Sequence, residues 1–133
     1  MSQNKEKEPK TKLTVAVIGS RTFQDKERLF KILDNNIDRI AKVVSGGAKG
    51  ADELSQTWCK ARGKPILIFY PDWSQGRGAG MKRNWDIIKS AELVLAFWDG
   101  ESVGTKNSIE IAQKLGKRII IVRFGNTTNN EPG

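Results

Sequence analysis

Five short apolar, β-branched segments recur along this sequence at 13–18, 42–45, 65–70, 92–97 and 118–123, and the stretches between them carry helical spacing. No other feature restricts the fold as strongly. Leu29, Ile32, Leu33, Ile37 and Ile40 form the first helical stripe, and Ala51, Leu54, Trp58 and Ala61 the second. Met81, Trp85, Ile88 and Ala91 form the third, and Ile109, Ala112 and Leu115 the fourth. Gly63 and Gly116 stand where helix C-caps belong. Near-continuous apolar strands, each followed by a helix, imply a parallel sheet covered on both faces and joined by right-handed crossovers.

The expected fold is therefore α/β: a single three-layer Rossmann-like domain over 13–124, with a five-stranded, mainly parallel sheet and helices on both faces. At 133 residues the chain has room for one core. Residues 1–12 alternate Lys and Glu around Pro9 and read as a disordered arm, and 125–133 read as a disordered tail. No apolar run approaches the roughly 20 residues needed to cross a bilayer, and the first residues have no apolar signal-like region. A cytoplasmic location without membrane contact is expected.

With no His and only Cys59, ordinary zinc sites, His-based triads and intramolecular disulfides are excluded, and no metal or cofactor is expected. Cys59 lies mid-helix with no plausible base and reads as an inert thiol. The net charge is +8, of which the first 12 residues supply +2, and it suits an anionic partner or simple solubility.

The unusual residues gather after strands, where ligands of open parallel sheets bind. Gly19, Ser20 and Arg21 follow the first strand; Ser45, Gly46, Gly47, Lys49, Gly50 and Asp52 follow the second. Asp72 and Trp73 follow the third, and Trp98, Asp99, Gly100, Gly104 and Thr105 the fourth. Glycine turns that open into helices present free N–H groups at the positive end of the dipole, which makes an anion cradle. Neither a complete P-loop nor a Gly-x-Gly-x-x-Gly fingerprint is present. Trp58 and Trp85 lie on apolar stripes and read as core, whereas Trp73 and Trp98 fall just past strand ends, where a ring can stack on a base. Arg83 and Asn84 open the third helix, where a cation does not serve helix stability.

The segments VAVIGSRTF, VVSGGAKGAD, RGAGMKRN and AFWDGESVGT together resemble the SLOG superfamily, with its DNA-processing protein A and Lonely Guy (cytokinin phosphoribohydrolase) branches. The pattern is most similar to the small stand-alone YspA-type branch and spans 13–124. The resemblance implies a nucleotide or nucleotide-derived ligand at the post-strand loops. Its phosphoribohydrolase side implies a catalytic role for Arg83 and phosphate binding by Gly104 and Thr105. The catalytic glutamate of that branch is replaced by Ser108, so cleavage would need Asp52, Asp72 or Asp99, with Asp99 taken as the candidate beside Arg83. The DNA-processing side implies single-stranded DNA as an alternative partner, met by Arg21, Lys49, Arg77, Lys82 and Arg83 and requiring a homo-oligomer at this chain length.

Overall fold

The computed structural model describes residues 12–125, so the arm and tail expected from the sequence lie outside the described residues except for Lys12 and Gly125. Five strands form one all-parallel sheet: β1 Leu13–Gly19, β2 Ile40–Ser45, β3 Ile66–Ile68, β4 Leu93–Trp98 and β5 Arg118–Arg123, in the order β3-β2-β1-β4-β5. Four helices connect them: α1 Lys26–Asp34, α2 Ala51–Arg62, α3 Ala79–Ser90 and α4 Val103–Lys114. The direction in which successive strands are added reverses between β1 and β4, whose neighbouring ends are the topological switch point.

Alternate residues of each central strand feed opposite layers. Val15, Val17, Val43, Leu95 and Phe97 pack under α1 and α2 with Leu29, Leu33 and Trp58. Ala16, Ile18, Val44, Val94 and Ala96 pack under α3 and α4 with Ile87, Ile88, Ile109 and Ala112. Both sheet faces are thus dry at β1, which is why its middle reads as an unbroken apolar run. Trp58 is fully buried, and its Nε1 donates to Asp34 Oδ1 at 2.8 Å. Arg62 Nε and Nη2 also donate to that carboxylate, at 2.8 and 2.9 Å, tying α1 to α2.

Element boundaries depart from the spacing in three places. The first stripe ends early: α1 stops at Asp34, Ile37 lies in a 3-10 turn, and the buried Ile40 starts β2. Asn35 and Asn36 favour a turn, with Asn36 Nδ2 donating back to the Ile32 carbonyl at 2.8 Å, so pairing with β1 takes over from helix. β3 is three residues long, because Pro65 and Pro71 bracket the apolar run and confine its ladder. On α3, Met81 is 53% exposed and the neighbouring Ile87 is buried in its place beside Ile88. No helix among the described residues is long and apolar enough to cross a membrane.

Candidate functional site

The carboxyl ends of β1 and β4 diverge into loops that enclose a cleft of about 380 Å³. Ile18 and Ile87 give it an apolar floor, and polar groups from four segments stand around it. The first segment runs from Ser20 to Thr22 and is anchored by Phe23, whose buried ring packs on Phe97 at 4.6 Å and on Phe124 at 4.9 Å. Burying a side chain of this size is worth about 2–3 kcal/mol, enough to hold a short loop in place. The second segment is the turn from β2 into α2, where Gly50 has φ +84°, a region closed to most residues. A side chain at Gly50 would also collide with the Ser20 carbonyl, so the first two loops interlock only through this glycine.

The third segment is the first turns of α3, which carry Arg83 and Asn84. Arg83 Nη1 donates to the Gly46 carbonyl at 2.6 Å and to the Phe69 carbonyl at 3.4 Å, and its Nε donates to Asn84 Oδ1 at 3.1 Å. A single guanidinium therefore joins the ends of β2 and β3 to α3 while lining the cleft. Gly46 must be small here, because a Cβ would lie 2.9 Å from Arg83 Nη1 and 3.0 Å from Asp52 Oδ2. The fourth segment is the N-terminal turn of α4. Asp99 Oδ1 accepts from the amides of Glu101 and Ser102, both at 2.8 Å, and its Oδ2 accepts from Thr22 Oγ1 at 3.4 Å.

Of the four helices, only α1 has a side-chain cap. α1 is capped by Asp25, which accepts from the Arg28 amide at 3.0 Å. α2 and α4, whose first turns line the cleft, have no side-chain cap, so their leading N–H groups are left without an intrahelical acceptor. Arg21 and Ser108 also face the cleft, and neither side chain has a hydrogen-bond partner among the described residues, although Ser108 is only 4% exposed.

The site is electrostatically tense. Burial pushes the Asp52 carboxyl up to about 6, against the Ala48 amide that donates to Oδ2 at 3.1 Å and the positive charge of Arg83. Burial likewise draws the Arg83 pKa down; Asp52 opposes that shift and the like charge of Arg21 adds to it. Two cations are thus directed into one small space. Burial also acts to raise the Asp99 pKa, but the hydrogen bonds from Glu101, Ser102, Ser20 and Thr22 outweigh it and leave the carboxyl below its ordinary value.

The cleft gathers Gly19, Ser20, Arg21, Asp52, Arg83, Asn84, Asp99, Gly104 and Thr105 of the expected residues. Ser45, Gly46, Gly47 and Gly50 stand behind it as framework, with Ser45 Oγ donating to the Val17 carbonyl at 2.7 Å. Lys49 is exposed to one side. Asp72 and Trp73 lie beyond Arg83: Asp72 accepts from the Ser74 amide at 3.1 Å to cap its own 3-10 turn, and Trp73 is 65% exposed. Trp98 is directed away from the cleft, its Nε1 donating to the Ser102 carbonyl at 3.1 Å and its ring lying under the Arg123 guanidinium at 5.3 Å. Gly100 sits against that same guanidinium.

Thr22, Ala48 and Ser102, which the sequence did not single out, also line the cleft, and Ser108, at the position of the phosphoribohydrolase glutamate, reaches it one helical turn beyond Thr105. The i, i+3 spacing of Thr105 and Ser108 was the available signal for the last of these. Cys59 is buried, and burial pushes its thiol up to about 11, which keeps it protonated and unreactive.

Fold and cleft together define a Rossmann-like α/β domain with a polar, cation-bearing site at the switch point of its sheet. A family model described as the YspA, cpYpsA-related SLOG family matches residues 13–76. The Gene 61 protein of Mycobacterium phage D29 is 33% identical over 121 residues, covering 84% of this chain and 95% of that protein. The chain belongs to the SLOG superfamily, in its YspA-related family.

Solved structures share the fold. DNA processing protein A from Helicobacter pylori, described by its single-stranded DNA binding mode, aligns with a TM-score of 0.70 at 22% identity over 90% of this chain and 71% of its own. DNA processing protein A from Streptococcus pneumoniae aligns with a TM-score of 0.73 at 18% identity, over 86% of this chain but only 52% of its own.

Proposed function

We propose that this chain binds a nucleotide, or a nucleotide-derived phosphate ligand, in the switch-point cleft, and acts by holding it as a sensor or sequestering module. The observation that carries this reading is the convergence of donors and positive charge on one space: the start of α4, which has no side-chain cap, Arg21, without a hydrogen-bond partner among the described residues, and Arg83 facing it. Helix amides and two guanidinium groups favour a phosphate, and the apolar floor strengthens the attraction by lowering the local dielectric. Asp52 stands at the same cleft as an acceptor for sugar hydroxyls. The volume is within the roughly 300–1,000 Å³ of small-molecule sites.

A thermal-shift panel of nucleotides, ADP-ribose and cyclic nucleotides tests the reading. At least one member should raise Tm, and a flat response at millimolar ligand would reject it. Turnover would fall to Asp52, because the Asp99 carboxylate already serves two loop amides and Thr22. Chromatography of nucleoside monophosphates incubated with the protein separates the two roles: free base above a no-protein control contradicts a purely holding role.

A second reading, single-stranded DNA binding, is favoured by the residues outside the cleft on the same edge. Tyr70 and Trp73 are 68% and 65% exposed, Arg77 and Lys82 are exposed shortly after them in the chain, and Lys49 is exposed on the loop whose Gly47 lies against Tyr70. Exposed rings with interleaved cations suit unstacked bases. A gel shift at two salt concentrations decides: DNA binding should weaken steeply with salt and disappear in Arg83→Ala, and salt-insensitive or absent binding rejects it.

A further inference from the structure

The two edges of the sheet are treated differently. β3 is three residues long and lies between Pro65 and Pro71, the ordinary way of blunting an edge. β5 at the opposite edge is six residues long and presents Ile119, Ile120, Ile121 and Val122 in succession, without a proline, a bulge or an interior charge. Ile120 is 50% exposed and Ile121 41% exposed, on opposite faces of the strand. Among the described residues, no group hydrogen-bonds the outer backbone of β5 between Ile119 and Val122.

From this edge we infer that β5 pairs antiparallel with β5 of a second copy, joining two sheets into one of ten strands about a two-fold axis. The occupant is set by self-complementarity. A two-fold axis perpendicular to the sheet keeps each face on its own side, so residues opposite one another across the axis come from the same face. Ile120 lines the groove on the α1 side, and Val122 packs against the core on that side. Ile119 packs against the core of the other side. With the axis at Ile120, Ile120 opposes its own copy and Ile119 opposes Ile121, so every central pair is isoleucine on isoleucine. Cross-strand pairs of this type stabilise antiparallel ladders. With the axis at Ile120, Arg118 falls opposite Val122 at the end of the ladder and Arg123 stays on the Trp98 ring at 5.3 Å, whereas centring on Ile121 would set Arg123 opposite Ile119 and draw it off that ring. Arg118 and Arg123 bracket the strand and limit pairing to this short segment.

Site-directed cross-linking tests both the partner and the register. In a Cys59→Ala background, Ile120→Cys should form a disulfide-linked dimer on mild oxidation, whereas Ile121→Cys should not. Ile121 residues of the two copies would stand two positions out of register, beyond the roughly 7 Å Cα separation that a disulfide spans. Sedimentation equilibrium of the unmodified chain should give a dimer at tens of micromolar, and Ile120→Lys, altering a half-exposed residue, should give a folded monomer by circular dichroism. A monomeric unmodified chain, a dimer that persists in Ile120→Lys, or cross-linking through Ile121→Cys alone would each overturn the inference.

Discussion

Arg21 and Arg83 face the same cleft but differ in what else they hold, and that difference separates binding from stability. Arg21 has no hydrogen-bond partner among the described residues, so Arg21→Ala should leave the unfolding free energy within about 0.5 kcal/mol while weakening nucleotide affinity about tenfold, as one lost charged contact of about 1.5 kcal/mol implies. Titration calorimetry and denaturant unfolding on the same preparations check both halves. Arg83→Ala should lose affinity and stability together, because the Gly46 and Phe69 carbonyls lose their donor. Asp52 supplies a pH signature. Its carboxyl titrates near 6 in the folded state against an ordinary 3.8, so the folded state holds the extra proton between those values and stability falls as pH rises through that window. The change is about 3 kcal/mol at most, and it levels off above pH 6. Asp52→Asn should remove that slope and be the more stable protein at pH 8, provided its amide oxygen still accepts from Ala48. An equal change in unfolding free energy between pH 4 and pH 8 for both proteins would refute this. The sequence exposed Asp52 only as part of a glycine-rich run. Arg83 and Ile87, which converge with it around Gly46, are more than 30 positions away along the chain.

At the scale of the element, the loops matter more than the strands they leave. Gly50 and Gly63 both have positive φ, at +84° and +70°, but only Gly50 would drive a side chain into backbone, whereas Gly63 opens to free space. Gly63→Ala should therefore cost about 1 kcal/mol, the conformational term alone. Gly50→Ala should cost at least twice that and also weaken ligand binding, since it separates the Ser20 loop from α2. Equal losses in thermal denaturation would contradict the interlocking of these loops. Strand and helix order was legible in the sequence because short unbroken apolar runs give way cleanly to apolar residues at helical spacing. Boundaries were less legible: Ile37 and Ile40 continue the α1 stripe numerically, and only pairing with β1 shows that Ile40 belongs to a strand. The approach to α4 was hidden for a related reason, since Asp99 holds the Glu101 and Ser102 amides just ahead of the helix.

Across the whole molecule, the site is a property of the sheet and of no single motif. Segments starting near residues 20, 48, 83 and 99 are brought together only because β1 and β4 adjoin at the switch point. The sequence located most of the cleft by placing its unusual residues after strands. It could not show that Trp98 turns back onto Arg123 or that Asp72 and Trp73 lie beyond Arg83, because those outcomes depend on how neighbouring loops pack. In the proposed function one nucleotide occupies this cleft. Titrating isotopically labelled protein with the nucleotide that gives the largest thermal shift, and following backbone amide resonances, tests it most directly. The largest shifts should fall on Gly19–Thr22, Ala48–Asp52, Asn84 and Ser102–Ser108, with β5 and α1 unmoved. Perturbations centred elsewhere, or none at saturating ligand, would contradict the account.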